Sequence, residues 1–193
     1  MSPVRLVDAR EAARVAVLHD YRLLDAPAGD ELEAVVRIAS AVVGVPFATL
    51  NLIDENRQCQ LATVGFDGQD SAREDSMCAL HFEAGELVVS PDAATDERFG
   101  GNPWVDGRLG RVRFYASAPL VTAGGFALGS LCVFDSRPGF LSGAQADRLR
   151  DLLGASAPVL LNPPGASPRP GDEAWCVMRD LEGRLGQVRI DTV

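Results

Sequence analysis

The chain changes its apolar period at Gly44-Val45-Pro46, and that switch narrows the folds open to it more than any other feature. Before it, apolar residues recur at helical spacing. Ala13, Val17, Tyr21 and Leu24 share one face, and Leu32, Val35, Val36, Ala39, Val42 and Val43 form a second stripe. Asp8 with Glu11, and Asp30 with Glu33, have the spacing of capping boxes, which predicts helices over 8–24 and 30–43, parted at Pro27 and Gly29. Gly44 suits a left-handed helix end, and Pro46 bars continuation. After the switch the period is two. Along 46–54, Ala48, Leu50 and Leu52 lie on one face and Phe47, Thr49, Asn51 and Ile53 on the other.

The rest of the chain follows from this start. The turn Asp54-Glu55-Asn56 leads into a strand near 57–64, predicting a hairpin, and 65–75 reads as a polar loop. Residues 76–84 read as a short helix capped by Ser76, and 87–90 as a strand ended by Pro91. Gly, Asn, Pro and Asp are too dense over 92–109 for long elements. A strand over 111–119 sets Val112, Phe114 and Ala116 against Arg113, Tyr115 and Ser117, and the Ala123-Gly124-Gly125 turn joins it to a strand over 126–134. A last helix over 142–157 has Leu141 as staple, a Ser142/Gln145 capping pair, the stripe Ala146, Leu149, Leu152 and Leu153, and Pro158 at its end.

Hairpins flanked by helices predict an α+β domain over 1–160: one antiparallel sheet, helices on one face, the irregular 65–109 segment on the other. A Pro-rich linker is expected over 161–171, and a tail over 172–193 in which Trp175–Arg179 and Gln187–Ile190 form a hairpin.

Charge and residue usage exclude several functions. The net charge is −9, which disfavours nucleic acid and anionic membrane as partners. All 18 basic residues are Arg, so Schiff-base chemistry and a phosphate-loop lysine are absent. With no signal-peptide core and no apolar run near the ~20 residues that span a bilayer, a cytoplasmic location is expected. Cys59, Cys78, Cys132 and Cys176 are widely spaced, which suggests neither a zinc site nor a disulfide framework.

Several motifs in one order carry a resemblance: Tyr21-Arg-Leu-Leu-Asp25, Asp54-Glu-Asn-Arg-Gln58, Ser76-Met-Cys-Ala79, Asp96-Glu-Arg-Phe99, Asn102-Pro103, Arg113-Phe-Tyr115, Ala118-Pro-Leu120 and Leu128-Gly-Ser-Leu-Cys-Val-Phe-Asp135. Together they resemble the GAF domain family over about residues 10–158, in the manner of its compact bacterial members. The resemblance implies a six-stranded antiparallel sheet, a helical layer on one face and a loop-covered pocket on the other. It implies a domain that binds a small molecule (cyclic nucleotides, tetrapyrroles, haem and oxyacids are family ligands) or mediates dimer contacts, and that rarely catalyses. The chain departs from that subgroup in having Cys59, not an aromatic, after Arg57-Gln58, and His81 three residues after Cys78 where two is usual.

The candidate ligand-binding residues are Asn51, Cys78, His81, Phe99, Trp104, Arg113, Tyr115 and Ser117. Thr49 and Asn51 face the pocket if Ala48, Leu50 and Leu52 meet the helices, and so do Arg113, Tyr115 and Ser117. Arg113 suits an oxyanion ligand, or else a bridge to Asp92, Asp96 or Asp135 that pins the loop. Cys78 and His81, at helical i, i+3, suit a tetrapyrrole anchor, a haem ligand or a redox thiol, or else a buried lid cysteine with a hydrogen-bonded histidine. Phe99 and Trp104 either stack on a planar ligand or plug the sheet. Cys132 reads as core, and Cys59, near a hairpin end, as exposed and open to adventitious oxidation.

No nucleophile–base grouping stands out, so the expectation is a non-enzymatic, small-molecule-sensing or regulatory domain in bacterial signal transduction. It is expected to homodimerise through its helices and to contact a signalling partner; the sequence names no cofactor. The alternatives are a methionine sulfoxide reductase-like thiol enzyme using Cys78 and a ligand-free interaction module that docks through the tail.

Overall fold

Asp30, Glu31 and Glu33 crowd the first turn of α2 (Asp30–Val43), where the helix dipole favours carboxylates, and Gly44 closes it in left-handed backbone at φ 79°. The expected Asp30 cap is corrected by one residue. Gly29 is the N-cap, and its carbonyl accepts from the Leu32 and Glu33 amides. The computed structural model describes residues 3–25, 29–161, 175–179 and 185–189. In it α1 spans Pro3–Asp20, so the helix is already under way at Asp8, and it stops before Leu24 because Arg22 and Asp25 adopt positive φ. Glu11 is therefore no capping partner. Its carboxylate holds Arg14, at 2.7 and 2.8 Å, and Arg73.

Six strands form one antiparallel sheet: β1 (Phe47–Ile53), β2 (Arg57–Val64), β3 (Ser71–Ala72), β4 (Val88–Ser90), β5 (Phe114–Val121) and β6 (Ala127–Asp135), in the order β3-β2-β1-β6-β5-β4. Ala48, Leu50 and Leu52 of β1, with Leu131 and Val133 of β6 and Phe114 and Ala116 of β5, bury against Leu18 of α1, Val36 and Ala39 of α2 and Leu149 of α4 (Gly143–Leu161). The helices thus share one face, as the alternation predicts. Ser142 and Gln145 form the expected capping box on α4, and Gln145 Nε2 donates to the Val43 carbonyl at 2.8 Å, tying α4 to the end of α2. α4 runs on to Leu161, past the expected stop at Pro158.

The opposite face is covered by the chain between β2 and β5. Residues 76–84 make two 3-10 turns, Cys78–Leu80 and Phe82–Ala84, not one helix; they part at His81, whose φ is −148°. Within 92–109 a short helix, α3 (Pro103–Asp106), forms where Asn102 caps the Trp104 amide and Pro103 occupies the first turn. β5 begins at Phe114 and not at 111, because the Val112 amide donates to the Trp104 carbonyl; Val112 accordingly joins the pocket-side core. β7 (Trp175–Arg179) and β8 (Leu185–Arg189) pair antiparallel in a separate two-stranded sheet. Residues 162–171 of the expected linker lie outside the described residues.

Arg14 joins the two layers. It is 2% exposed, donates to the Ile53 carbonyl at 2.7 Å, and stacks on the Phe82 ring, with its guanidinium carbon 5.1 Å from the ring centroid. Arg73 approaches the same ring at 5.8 Å. A buried guanidinium is tolerated when it is paired and hydrogen-bonded, and Glu11 supplies the pair.

β6 and β1 approach so closely at Gly129 that an added Cβ would stand 1.9 Å from the Asn51 carbonyl oxygen. Strand backbones on either side of that contact cannot yield without breaking the ladder. Gly129→Ala is expected to cost about 4 kcal/mol or more in urea unfolding, beyond the usual range for single substitutions. A midpoint equal to that of the wild type would contradict the packing described.

Candidate functional site

Across the middle of the sheet, Thr49 of β1, Cys132 of β6 and Ser117 of β5 stand in register, and Asn51 stands opposite Ser130. All five side chains are buried. Because strand side chains alternate, residues in one such row leave the sheet on the same side, here away from the helices.

The lid lowers Cys78 onto this row. Ser76 fixes it from one end: its hydroxyl donates to Gln58 Oε1 at 2.6 Å and accepts from the Ala79 amide at 3.0 Å. Asn102 Nδ2 holds the Asp75 carbonyl at 3.0 Å. Cys78 Sγ then lies 2.7 Å from Cys132 Sγ. Thr49 Oγ1 donates to Asn51 Oδ1 at 2.8 Å, which orients the amide so that Nδ2 faces the sulfurs, 3.3 Å from Cys78 and 3.5 Å from Cys132. Tyr115 Oη donates to Cys78 Sγ at 3.1 Å. Cys132 Sγ donates to Ser117 Oγ at 3.3 Å, and Ser130 Oγ sits 3.2 Å from it. His81 Nε2 is 3.1 Å from Tyr115 Oη; since the phenol spends its one proton on sulfur, His81 presents Nε2–H to it. The Phe99 ring closes the cluster edge-on to Tyr115 and His81, at centroid distances of 5.3 and 5.9 Å.

Beside the sulfurs is a half-open cavity of about 40 Å³, with Thr49, Asn51, Cys78, Trp104, Tyr115 and Cys132 in its wall. That is room for one or two waters, far below the roughly 300–1,000 Å³ of sites for larger ligands.

The electrostatics separate the two thiols. Burial pushes Cys78 up, but the polar side chains around its sulfur, Cys132, Ser130, Tyr115 and Asn51, outweigh it and hold the thiol at about 7. Burial raises Cys132, and the adjacent Cys78 raises it further. Burial, then Arg98, lowers His81 to about 4, so near neutral pH it is an uncharged hydrogen-bond partner and no source of positive charge. Burial also raises the Tyr115 phenol, keeping its proton available for Cys78.

Of the predicted residues, Asn51, Cys78, His81, Phe99, Trp104, Tyr115 and Ser117 converge here. Arg113 does not. It precedes β5 and clamps Asp92 with Nε at 2.6 Å and Nη2 at 2.5 Å, the loop-pinning bridge and not a pocket group. Cys59 is also corrected, from exposed to buried on the helix-side core. A β-bulge between Leu50 and Asn51 shifts the register so that Cys59 pairs with Leu52 and shares its face, and burial raises its thiol. Cys132, read as core, is indeed buried but belongs to the pocket-side cluster. The signal that places it was available in the alternation of Ser130, Cys132 and Phe134 against Leu131 and Val133. Among the described residues, no group of three or more His, Cys, Asp or Glu stands ready for a metal ion, and no helix is long and apolar enough to cross a membrane.

A sheet of this order, helices behind and a lidded polar pocket in front, is the GAF arrangement. The GAF domain family matches residues 28–153, and the chain belongs to that family. Over 128 residues it is 38% identical to a cyclic di-GMP phosphodiesterase of Pseudomonas aeruginosa, which covers 66% of this chain and 22% of the phosphodiesterase. The chain therefore spans about a fifth of that relative. Among solved structures it is similar to the GAF domain of an Acinetobacter phosphoenolpyruvate-protein phosphotransferase, at 18% identity and TM-score 0.57, covering 83% of this chain and 94% of that one. It is also similar to a type II free methionine-R-sulfoxide reductase from Thermoplasma acidophilum, at 12% identity and TM-score 0.56, covering 75% and 94%. At those identities the likeness is one of fold.

If Tyr115 holds Cys78 down, removing its hydroxyl must release the thiol. A hydrogen bond to a charged acceptor contributes about 1.5–3 kcal/mol, so Tyr115→Phe should raise the Cys78 pKa by roughly one to two units, read from the pH dependence of alkylation at that residue. An unchanged titration would remove Tyr115 from the site's chemistry.

Proposed function

We propose that this chain is a cytoplasmic, small-molecule-sensing GAF module of bacterial signal transduction, which holds a small ligand in the lidded cavity and passes its state on through protein contacts. The observation that carries the reading is the lid itself. Residues 76–84 bring Cys78 and His81 to the pocket, and the same short segment presents Phe82 to Arg14 on α1. A ligand that moves the lid changes contacts outside the pocket, which is what a sensor requires. The cavity volume favours a ligand of a few heavy atoms; cyclic nucleotides, haem and tetrapyrroles would enter only with the lid raised. The 38% identity to part of a cyclic di-GMP phosphodiesterase supports a regulatory setting.

The helical layer is the proposed contact surface. Ile38 on α2 is 48% exposed, and a second copy or a signalling partner would cover it. Sedimentation at tens of micromolar is expected to show dimer, and Ile38→Glu to shift it to monomer.

A second reading, a thiol-dependent reductase, draws on the Cys78–Cys132 pair. The two readings part on turnover. Thermal-shift assays with small oxyanions should raise the melting temperature by several degrees, since a ligand at a hundredfold excess over Kd adds about 2.7 kcal/mol. Under the same conditions the chain should not reduce methionine-R-sulfoxide with dithiothreitol. Multiple turnovers abolished by Cys78→Ser would replace the sensing reading with the enzymatic one.

A further inference from the structure

The geometry points to a specific chemistry for this site, one that rests on the sensing reading above: Cys78 and Cys132 are a dithiol that a small hydroperoxide converts to an intramolecular disulfide joining the lid to the sheet. The two sulfurs, 2.7 Å apart, are within about 0.7 Å of a covalent S–S distance. They sit on different elements, one on the lid turn and one on β6. A bond between them would therefore fix the lid. The cavity beside them, at about 40 Å³, admits a molecule the size of hydrogen peroxide.

The surroundings differ from those of a structural cysteine. Cys59 is a control within the same chain, buried among apolar side chains and raised by burial. Cys78 is as deeply buried, yet Asn51 Nδ2 and Tyr115 Oη both donate to its sulfur. Donors on sulfur stabilise the thiolate, the nucleophilic form. Cys132, held protonated by burial and by its neighbour, has the features of the resolving partner.

The step balances with the peroxide as sole oxidant. The Cys78 thiolate attacks the distal oxygen of R–O–O–H. The O–O bond breaks, an S–O bond forms, and the leaving alkoxide takes up the proton released from Cys78 to depart as ROH. The Cys132 sulfur then attacks the Cys78 sulfur. The S–O bond breaks, the S–S bond forms, and the hydroxyl leaves with the Cys132 proton as water. Two electrons pass from the thiols to the peroxide, and an external dithiol reverses the change.

The test uses the full reduced chain, hydrogen peroxide as probe, alkylation of remaining thiols and peptide mass spectrometry. The expected product is a Cys78–Cys132 cross-link, lighter by two hydrogens, reversed by dithiothreitol and formed equally in Cys59→Ala. Cys132→Ser should stop at a Cys78 sulfenic acid, trapped by dimedone. Tyr115→Phe, which keeps the ring, should slow oxidation at neutral pH roughly tenfold by lowering the thiolate fraction. Cross-links through Cys59 or Cys176, or two thiols unchanged by peroxide, would overturn the inference. A chain whose thiols resist peroxide but whose melting temperature still rises with an oxyanion would retain the sensing reading and lose this one.

Discussion

The pairing of β1 with β6 sets Thr49 opposite Cys132 and Asn51 opposite Ser130, and a slip of β1 by one residue would turn Thr49 and Asn51 into the helix-side core. Leu50 and Leu52 would then face the lid. The helix side prevents this, because Ala48, Leu50 and Leu52 are buried against α1, α2 and α4. Gly129 fixes the same register sterically, since the Asn51 carbonyl occupies the place of a side chain. The polar row on one face is thus held by apolar packing on the other.

A buried polar row costs stability unless every member finds a partner. Here the partners are one another and the lid. Thr49 orients Asn51, Asn51 reaches both sulfurs, Ser117 and Ser130 bracket Cys132, and Tyr115 and His81 complete the chain from the far side. The lid therefore satisfies the sheet's polar groups as well as covering them. It is in turn held from outside, where Arg14 and Arg73 share Glu11 and flank Phe82. Two networks meet on a nine-residue segment, one facing the cavity and one facing α1.

What the sequence disclosed and what it hid divide along the range of the interactions. The helix end at Gly44, the Ser142/Gln145 box and the two faces of β1 are local patterns, and each was readable. Glu11 reads as a capping residue only if a helix starts at Asp8; α1 is already under way there, and the carboxylate instead holds Arg14 three positions on and Arg73 62 positions away. Cys59 reads as exposed from its place near a hairpin end, but a bulge in the β1–β2 ladder pairs it with Leu52 and turns it into the helix-side core, and no composition signal marks a bulge there. Arg113 lost its pocket role to Asp92, one of three bridges the sequence allowed, and β5 starts just after it. Cys132 is different. Its alternation with Leu131 and Val133 was legible, but a cysteine in an apolar run reads as core.

Arg14 joins the lid over the thiol pocket and helix α1 into one mechanical unit. Amide hydrogen exchange on Arg14→Met tests it without any ligand. The amides of Leu80, His81, Ala84 and Gly85, which bond within the lid turns, report on one side, and those of β1 and β6 serve as the internal reference. Arg14→Met is expected to speed exchange in the lid and in α1 together, with the β1–β6 amides still protected. Lid protection equal to that of the wild type, with only α1 loosened, would contradict it.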